Sequence, residues 1–279
     1  MTGHEVIATL SKRFPQLYIA PAEDTLETYK LAAGRGVAPE DKSLGHFITS
    51  ERDELRTVET PAGPVEVVYL ANRQDFETFL QIIGNKAQPV PILRSVGAIT
   101  YSGLPDWGEV ARQREEYIAN GGTNWPAEFS RRAKVKGAFR IEIVIISEGP
   151  YSNVSAEHTP YDSDTWLNVS REIRLHHECA HVVCRRTMPD DILPVWDEVT
   201  ADVVGLLCAT QHYDANLAML FFNKRIAEYL NEEQAKRTDE ILAELRDVCM
   251  RIEAQVGEEQ VAHPFDFLLE LKRAPLLTY

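Results

Sequence analysis

The sequence predicts an α+β chain. A small mixed sheet occupies the N-terminal half, and a mainly helical C-terminal half surrounds one helix that carries H-E-x-x-H. Three observations point there. Phe139–Ser147 is rich in β-branched residues and alternates early, as a strand does. The stretch from Ser163 to Arg186 places apolar residues at helical spacing around His177, Glu178 and His181. The last third repeats helical spacing with no Pro/Gly/Ser-rich linker.

In chain order, Glu5–Phe14 and Leu26–Ala33 are short amphipathic helices, and Gly34–Pro39 stops the second. Leu55–Thr60 and Val65–Leu70 are strands around the turn Pro61–Pro64. Asn72 caps a helix carrying Phe76, Phe79, Leu80 and Ile83, which ends at Gly84. Pro89–Thr100 is extended. Helices follow near Trp107–Ala119 and Ala127–Ala133, then the strand Phe139–Ser147 and a polar loop, Tyr151–Asp162. The motif helix starts at Ser163 or Asp164 and ends near Arg185–Arg186, where cations suit the negative helix terminus. A short connection, Thr187–Asp191, leads into a second helix through Trp196, Val199, Val203 and Leu207. Asp191 or a neighbour caps it, and it lies antiparallel to the first. Helices over Asp214–Asn231, Glu232–Val256 and Pro264–Leu271 complete the chain. The expected organisation is an N-terminal α+β region, 1–135, that shapes a cleft, and a helical core, 136–279. The two are separate parts or one continuous domain.

The 279 residues are 44% hydrophobic and 26% charged, ordinary globular values that allow a sizeable core. A net charge of −14 argues against nucleic acid and anionic membrane surfaces, both of which need a basic footprint. Met1–Leu10 has no basic stretch followed by an apolar run, so no signal peptide is expected, and no apolar stretch is long enough to span a bilayer. The four cysteines, Cys179, Cys184, Cys208 and Cys249, form no C-x-x-C pair. They read as small buried hydrophobes in a reducing, cytoplasmic setting. The four tryptophans read as core anchors.

On a helix, His177 and His181 are one turn apart and share a face, so both rings can ligate one zinc ion. Glu178 is offset around the helix, where it can reach a water at the metal without ligating it. His176 points elsewhere and reads as structural. Chance alone produces H-E-x-x-H about once in a hundred chains of this length, so the motif needs a third ligand elsewhere. The second helix offers Glu198 for that role. Asp202, one turn on, shares its face and can bind the outer nitrogen of a ligating histidine, expected to be His177.

H-E-x-x-H followed by E-x-x-x-D on the next helix resembles the gluzincin metallopeptidases. The local match is closer to the peptidase cores of the CAAX-prenyl-protease and Oma-type metallopeptidases, where E-x-x-A-D-x-x-G follows. Here Glu198, Ala201, Asp202 and Gly205 stand at those places. The family's G-Y-D-P and late T-H-P have counterparts in His212-Tyr213-Asp214-Ala215 and Ala262-His263-Pro264. The resemblance covers roughly residues 164–271. It departs in lacking transmembrane helices, in Ala215 for Pro, and in Phe265-Asp266 after His263-Pro264.

The resemblance implies a zincin-like fold and zinc-dependent hydrolysis of peptide bonds. His177, His181 and Glu198 hold Zn2+, Glu178 serves as general base, and His263 serves as the catalytic donor to the oxyanion, with Tyr213 as a second candidate. It also implies that the strand Phe139–Ser147 is the edge strand that pairs with an extended peptide or protein substrate. Two other readings stand beside this one. One is a non-catalytic, zinc-stabilised binding or regulatory protein; the other is a zinc hydrolase of a small non-peptide amide. The residues alone name neither the substrate nor the oligomeric state.

Overall fold

The computed structural model describes residues 2–94, 96–188 and 194–277. It divides into two compact units. The first comprises Met1–Arg56, Glu66–Val96 and Thr100–Ser147; the second comprises Thr57–Val65, Gly97–Ile99 and Glu148–Tyr279. The division falls after Ser147, so the long strand belongs with the N-terminal residues.

The first unit is α+β. It holds all or most of α1 (Gly3–Arg13), α2 (Leu26–Arg35), β1 (Glu54–Val58), β2 (Val65–Leu70), α3 (Arg73–Ile83), β3 (Ala98–Pro105), α4 (Trp107–Ala119), α5 (Trp125–Arg132) and β4 (Arg140–Ser147). Thr2 and Glu5 close α1 with a reciprocal capping box, and Asn72 caps α3 through Gln74 N as its sequence predicts. The strands form a mixed sheet in the order β1-β2-β4-β3. β2 and β4 run parallel, with Glu66 opposite Ile143 and Leu70 opposite Ser147. Between these two strands the chain forms α3, which packs on β4, so Phe76, Phe79 and Ile82 are fully buried with Val68, Ile143 and Ile145.

β4 is therefore an interior strand, with β2 and β3 along its two sides, and not an edge open to a peptide. Its own sequence carries the reason. Ile143 to Ser147 are buried without alternation, the pattern of a strand covered on both faces. β3 extends beyond the predicted extended segment, reaching Pro105 before Asp106 caps α4.

The second unit is helical. It contains α6 (Ser163–Thr187), α7 (Pro194–Thr210), α8 (Ala215–Arg225), a short α9 (Glu232–Ala235), α10 (Thr238–Glu253), α11 (Glu258–Ala262) and α12 (Pro264–Arg273). Asp162 caps α6, one residue before the predicted start, because its side chain accepts from Thr165 N at 2.9 Å. The cap proposed for α7 lies outside the described residues. Asp214 caps α8 by accepting from Asn216 N and Leu217 N, which gives the Tyr-Asp pair a structural role. The segment expected as one helix, Glu232–Val256, is split into α9 and α10.

The main core gathers Trp166, Trp196, Tyr213, Phe221 and Phe222. A second cluster of smaller side chains, Ala180, Val183, Ala201, Val204 and Leu268, lies where α6, α7 and α12 meet. Gly205 lets α6 and α7 close: a Cβ there would stand 2.8 Å from the carbonyl oxygen of Ile173. Among the described residues no helix is long and apolar enough to cross a membrane.

Candidate metal centre

The α6–α7 contact brings together His177, His181 and Glu198. His177 and His181 lie one turn apart on α6, and Glu198 faces them from the second turn of α7. The two Nε2 atoms are 3.0 Å apart. His177 Nε2 lies 3.4 Å from Glu198 Oε2, and His181 Nε2 lies 3.5 Å from Glu198 Oε1. Four tetrahedral ligands bound at zinc's usual distances stand about 3.3 Å from one another. The three observed separations bracket that edge length, so the donor atoms fit a single ion.

The outer ring nitrogens decide the tautomers. His177 Nδ1 is 2.9 Å from Asp202 Oδ1, and His181 Nδ1 is 2.8 Å from Asp197 Oδ2. An ionised carboxylate only accepts, so each Nδ1 carries the hydrogen and each Nε2 turns a lone pair inward. Two lone pairs and a carboxylate facing one another repel unless a positive charge joins them, as a proton or a metal ion. In the metal-free protein a proton does so on His177. Burial opposes the charge, but Asp202 and Glu198 outweigh it and push the ring up to about 10.

Each carboxylate behind a histidine is itself held. Asp202 is fully buried; its Oδ1 also accepts from the Tyr151 hydroxyl at 2.6 Å, and its Oδ2 is paired with Arg225 Nη2. Arg225 Nη1 donates to the Tyr151 hydroxyl at 3.1 Å and lies 3.7 Å from Glu198 Oε2. Its guanidinium also lies over the Tyr151, Phe222 and Tyr229 rings, 5.3, 5.4 and 5.8 Å from their centroids. Asp197 Oδ1 is paired with Lys272 of α12, whose side chain is fully buried. Burial works against charge on Asp202 and Asp197, yet Arg225 and His177 for the first, and His181 and Lys272 for the second, hold both below the usual carboxylate range.

Glu198 is held down to about 2. Burial opposes its charge, and the hydrogen bond and charge of His177, followed by His181 and Arg225, prevail. A carboxyl lowered from 4.5 contributes stability that is complete above about pH 4.5 and is lost as pH falls toward 2. His177, raised from 6.5, contributes stability that is complete below about pH 6.5 and is lost as pH rises through 10. Urea unfolding of the chelator-treated protein should therefore peak in midpoint between these windows and decline on both sides. A midpoint unchanged from pH 7 down to pH 3 would contradict the ion-paired arrangement.

Of the other residues singled out from sequence, Glu178 is half-buried on α6, next to His177. His263 is exposed at the junction of α11 and α12 and is not in the three-residue group. Tyr213 is sealed in the core at 0% exposure, where burial pushes its phenol well up, so it cannot serve at an open site. The four cysteines are free, three of them buried.

The motifs did not reveal Asp197, Tyr151, Arg225 or Lys272. Two of these left a trace. Arg225 lies four residues after buried Phe221, and Lys272 four after buried Leu268, so helical spacing sets each cation on an apolar face. A charge there needs a partner. Tyr151, after Gly149-Pro150, left no such signal.

A family model described as "Family of unknown function (DUF7005)" matches residues 2–237, a stretch that includes His177, Glu178, His181, Glu198, Asp202 and Arg225 but ends before His263 and Lys272. No curated protein and no solved structure matches the chain. The chain belongs to the DUF7005 family, whose function is unknown.

Proposed function

We propose that the chain is a zinc-dependent metallopeptidase of gluzincin type. The reading rests on one observation above all. Among the described residues the group able to hold a metal ion has three members, His177, His181 and Glu198, and Glu178 follows His177 in the chain. Structural zinc sites are closed by four protein ligands, whereas catalytic sites use three and keep a position for water or substrate.

When bound, zinc supplies Lewis acidity and brings the pKa of water down to about 7. The chain's residues supply the rest. Asp202 and Asp197 hold the histidine rings in the tautomer that leaves both Nε2 atoms free to ligate. Glu178 takes a proton from the attacking water and returns it to the leaving amine. His263, at the exposed head of α12, is the oxyanion donor that the resemblance assigns. A peptide or protein substrate follows from that resemblance, and the free cysteines suit a reducing, cytoplasmic setting.

The test is metal analysis of the purified chain, followed by an assay on an unfolded polypeptide such as casein. About one zinc per chain is expected, with cleavage that stops on chelation and returns on adding zinc. A chain that takes up no zinc, or a zinc-loaded chain that cleaves neither polypeptides nor small amides, would sink the proposal.

A further inference from the structure

The two histidines are held by parallel chains of contacts, each ending in a cation. One runs His177 Nδ1 to Asp202 to Arg225; the other runs His181 Nδ1 to Asp197 to Lys272. The Arg225 side chain is 13% exposed and that of Lys272 is 0% exposed. A fully buried lysine is rare unless it is paired, so its placement behind a metal-centre carboxylate is specific.

We infer that Arg225 and Lys272 are positioning residues that balance the charge of the metal centre in advance, so that the chain folds with its ligands in place and loads metal afterwards. The inference rests on reading the three-residue group as a metal centre. With neutral imidazoles, Asp197, Glu198 and Asp202 contribute three negative charges, and Arg225 and Lys272 return two positive ones. One negative charge remains, on Glu198, where the three donor atoms converge.

Without the two cations, three carboxylates would crowd the α6–α7 contact with only a metal ion, or one proton on His177, to offset them. Folding would then lean far more on the ion, as it does in small zinc domains whose sites do not exist before metal binds. Here the order is reversed. α12 takes part through Lys272, which lies beyond the residues matched by the family model.

The experiment is thermal unfolding of the intact chain at pH 8, with chelator or with excess Zn2+. Wild type is expected to melt cooperatively without metal and to melt higher with it. Lys272→Met and Arg225→Met should lower the metal-free melting temperature more than the zinc-bound one, widening the zinc-induced rise by about 4 °C or more. Lys272→Met combined with Asp197→Asn removes one charge of each sign. It should restore the metal-free melting temperature and bring the rise back down from that of Lys272→Met, to the wild-type size or below it, since the amide of Asp197→Asn holds His181 less firmly than the carboxylate does.

A purely packing role predicts an equal rise in wild type and single variants, and no rescue by Asp197→Asn. That result would overturn the inference, as would a metal-free wild type without a cooperative transition. If a single variant does not fold without metal but folds with zinc, the inference is supported. If it folds in neither state, the double variant decides: metal-free melting like wild type supports the inference, and failure to fold overturns it. Wild type that binds no zinc overturns the metal-centre reading itself, a different outcome from wild type that binds zinc while the variants show an unchanged rise.

Discussion

Glu178→Gln is expected to leave zinc bound and to lower hydrolysis by about 10²–10⁴-fold, the usual contribution of a positioned general base. That loss corresponds to about 3–5 kcal/mol in the barrier. The substitution keeps shape and hydrogen-bonding reach while removing the ability to accept a proton. The ligands are untouched: His177, His181 and Glu198 keep their contacts with Asp202, Asp197 and each other. Metal content and turnover on the same preparation separate the two effects. Retained activity with full zinc would exclude Glu178 as the base. Loss of zinc would show that Glu178 helps to hold the metal.

Asp202→Ala is expected to destabilise the metal-free protein by about 3–5 kcal/mol, the cost of breaking a buried ion pair from one side. Asp202 is fully buried and joins His177, Tyr151 and Arg225. Its removal leaves Arg225 with Tyr151 and the more distant Glu198, and leaves His177 Nδ1 without its carboxylate. Zinc affinity should fall about 10–100-fold, as it does when a ligating histidine loses its outer partner. Denaturant unfolding with chelator measures the first effect, and competition against a chromogenic chelator measures the second. A stability loss under about 1 kcal/mol would mean that water replaces the carboxylate at that position. Asp202→Asn keeps an acceptor for His177 but not the charge opposite Arg225, so its loss of affinity should be smaller than its loss of stability.

These expectations share one feature of the molecule. The histidines and the carboxylates behind them lie in the contact of two long helices, α6 and α7, and the cations behind those come from two others, Lys272 from α12 and Arg225 from α8. Gly205 is part of that geometry, since a side chain on it would push α7 away from the Ile173 carbonyl of α6. The Gly in E-x-x-A-D-x-x-G thus acts through the spacing between helices, and the Asp through the ring it holds.

What was legible in the sequence was local. H-E-x-x-H and E-x-x-x-D encode shared helix faces, because i and i+4 residues are neighbours whatever the rest of the chain does. That is why the sequence points to His177, His181 and Glu198 as one group and to Asp202 as the partner of His177. Helix boundaries in the motif region were legible to within a residue or two for the same reason. Only the tertiary structure could decide the contacts between elements distant in sequence. Lys272 meets Asp197 across 75 positions and Arg225 meets Asp202 across 23, by packing that no short-range spacing specifies. The interior place of β4 likewise depended on strand order, although its unbroken buried run was a trace of it. By itself, then, the sequence determined the three side chains that converge and the glutamate beside them. The fold decided what stands behind those donors, because a buried charge is stabilised by whichever opposite charge the packing brings near.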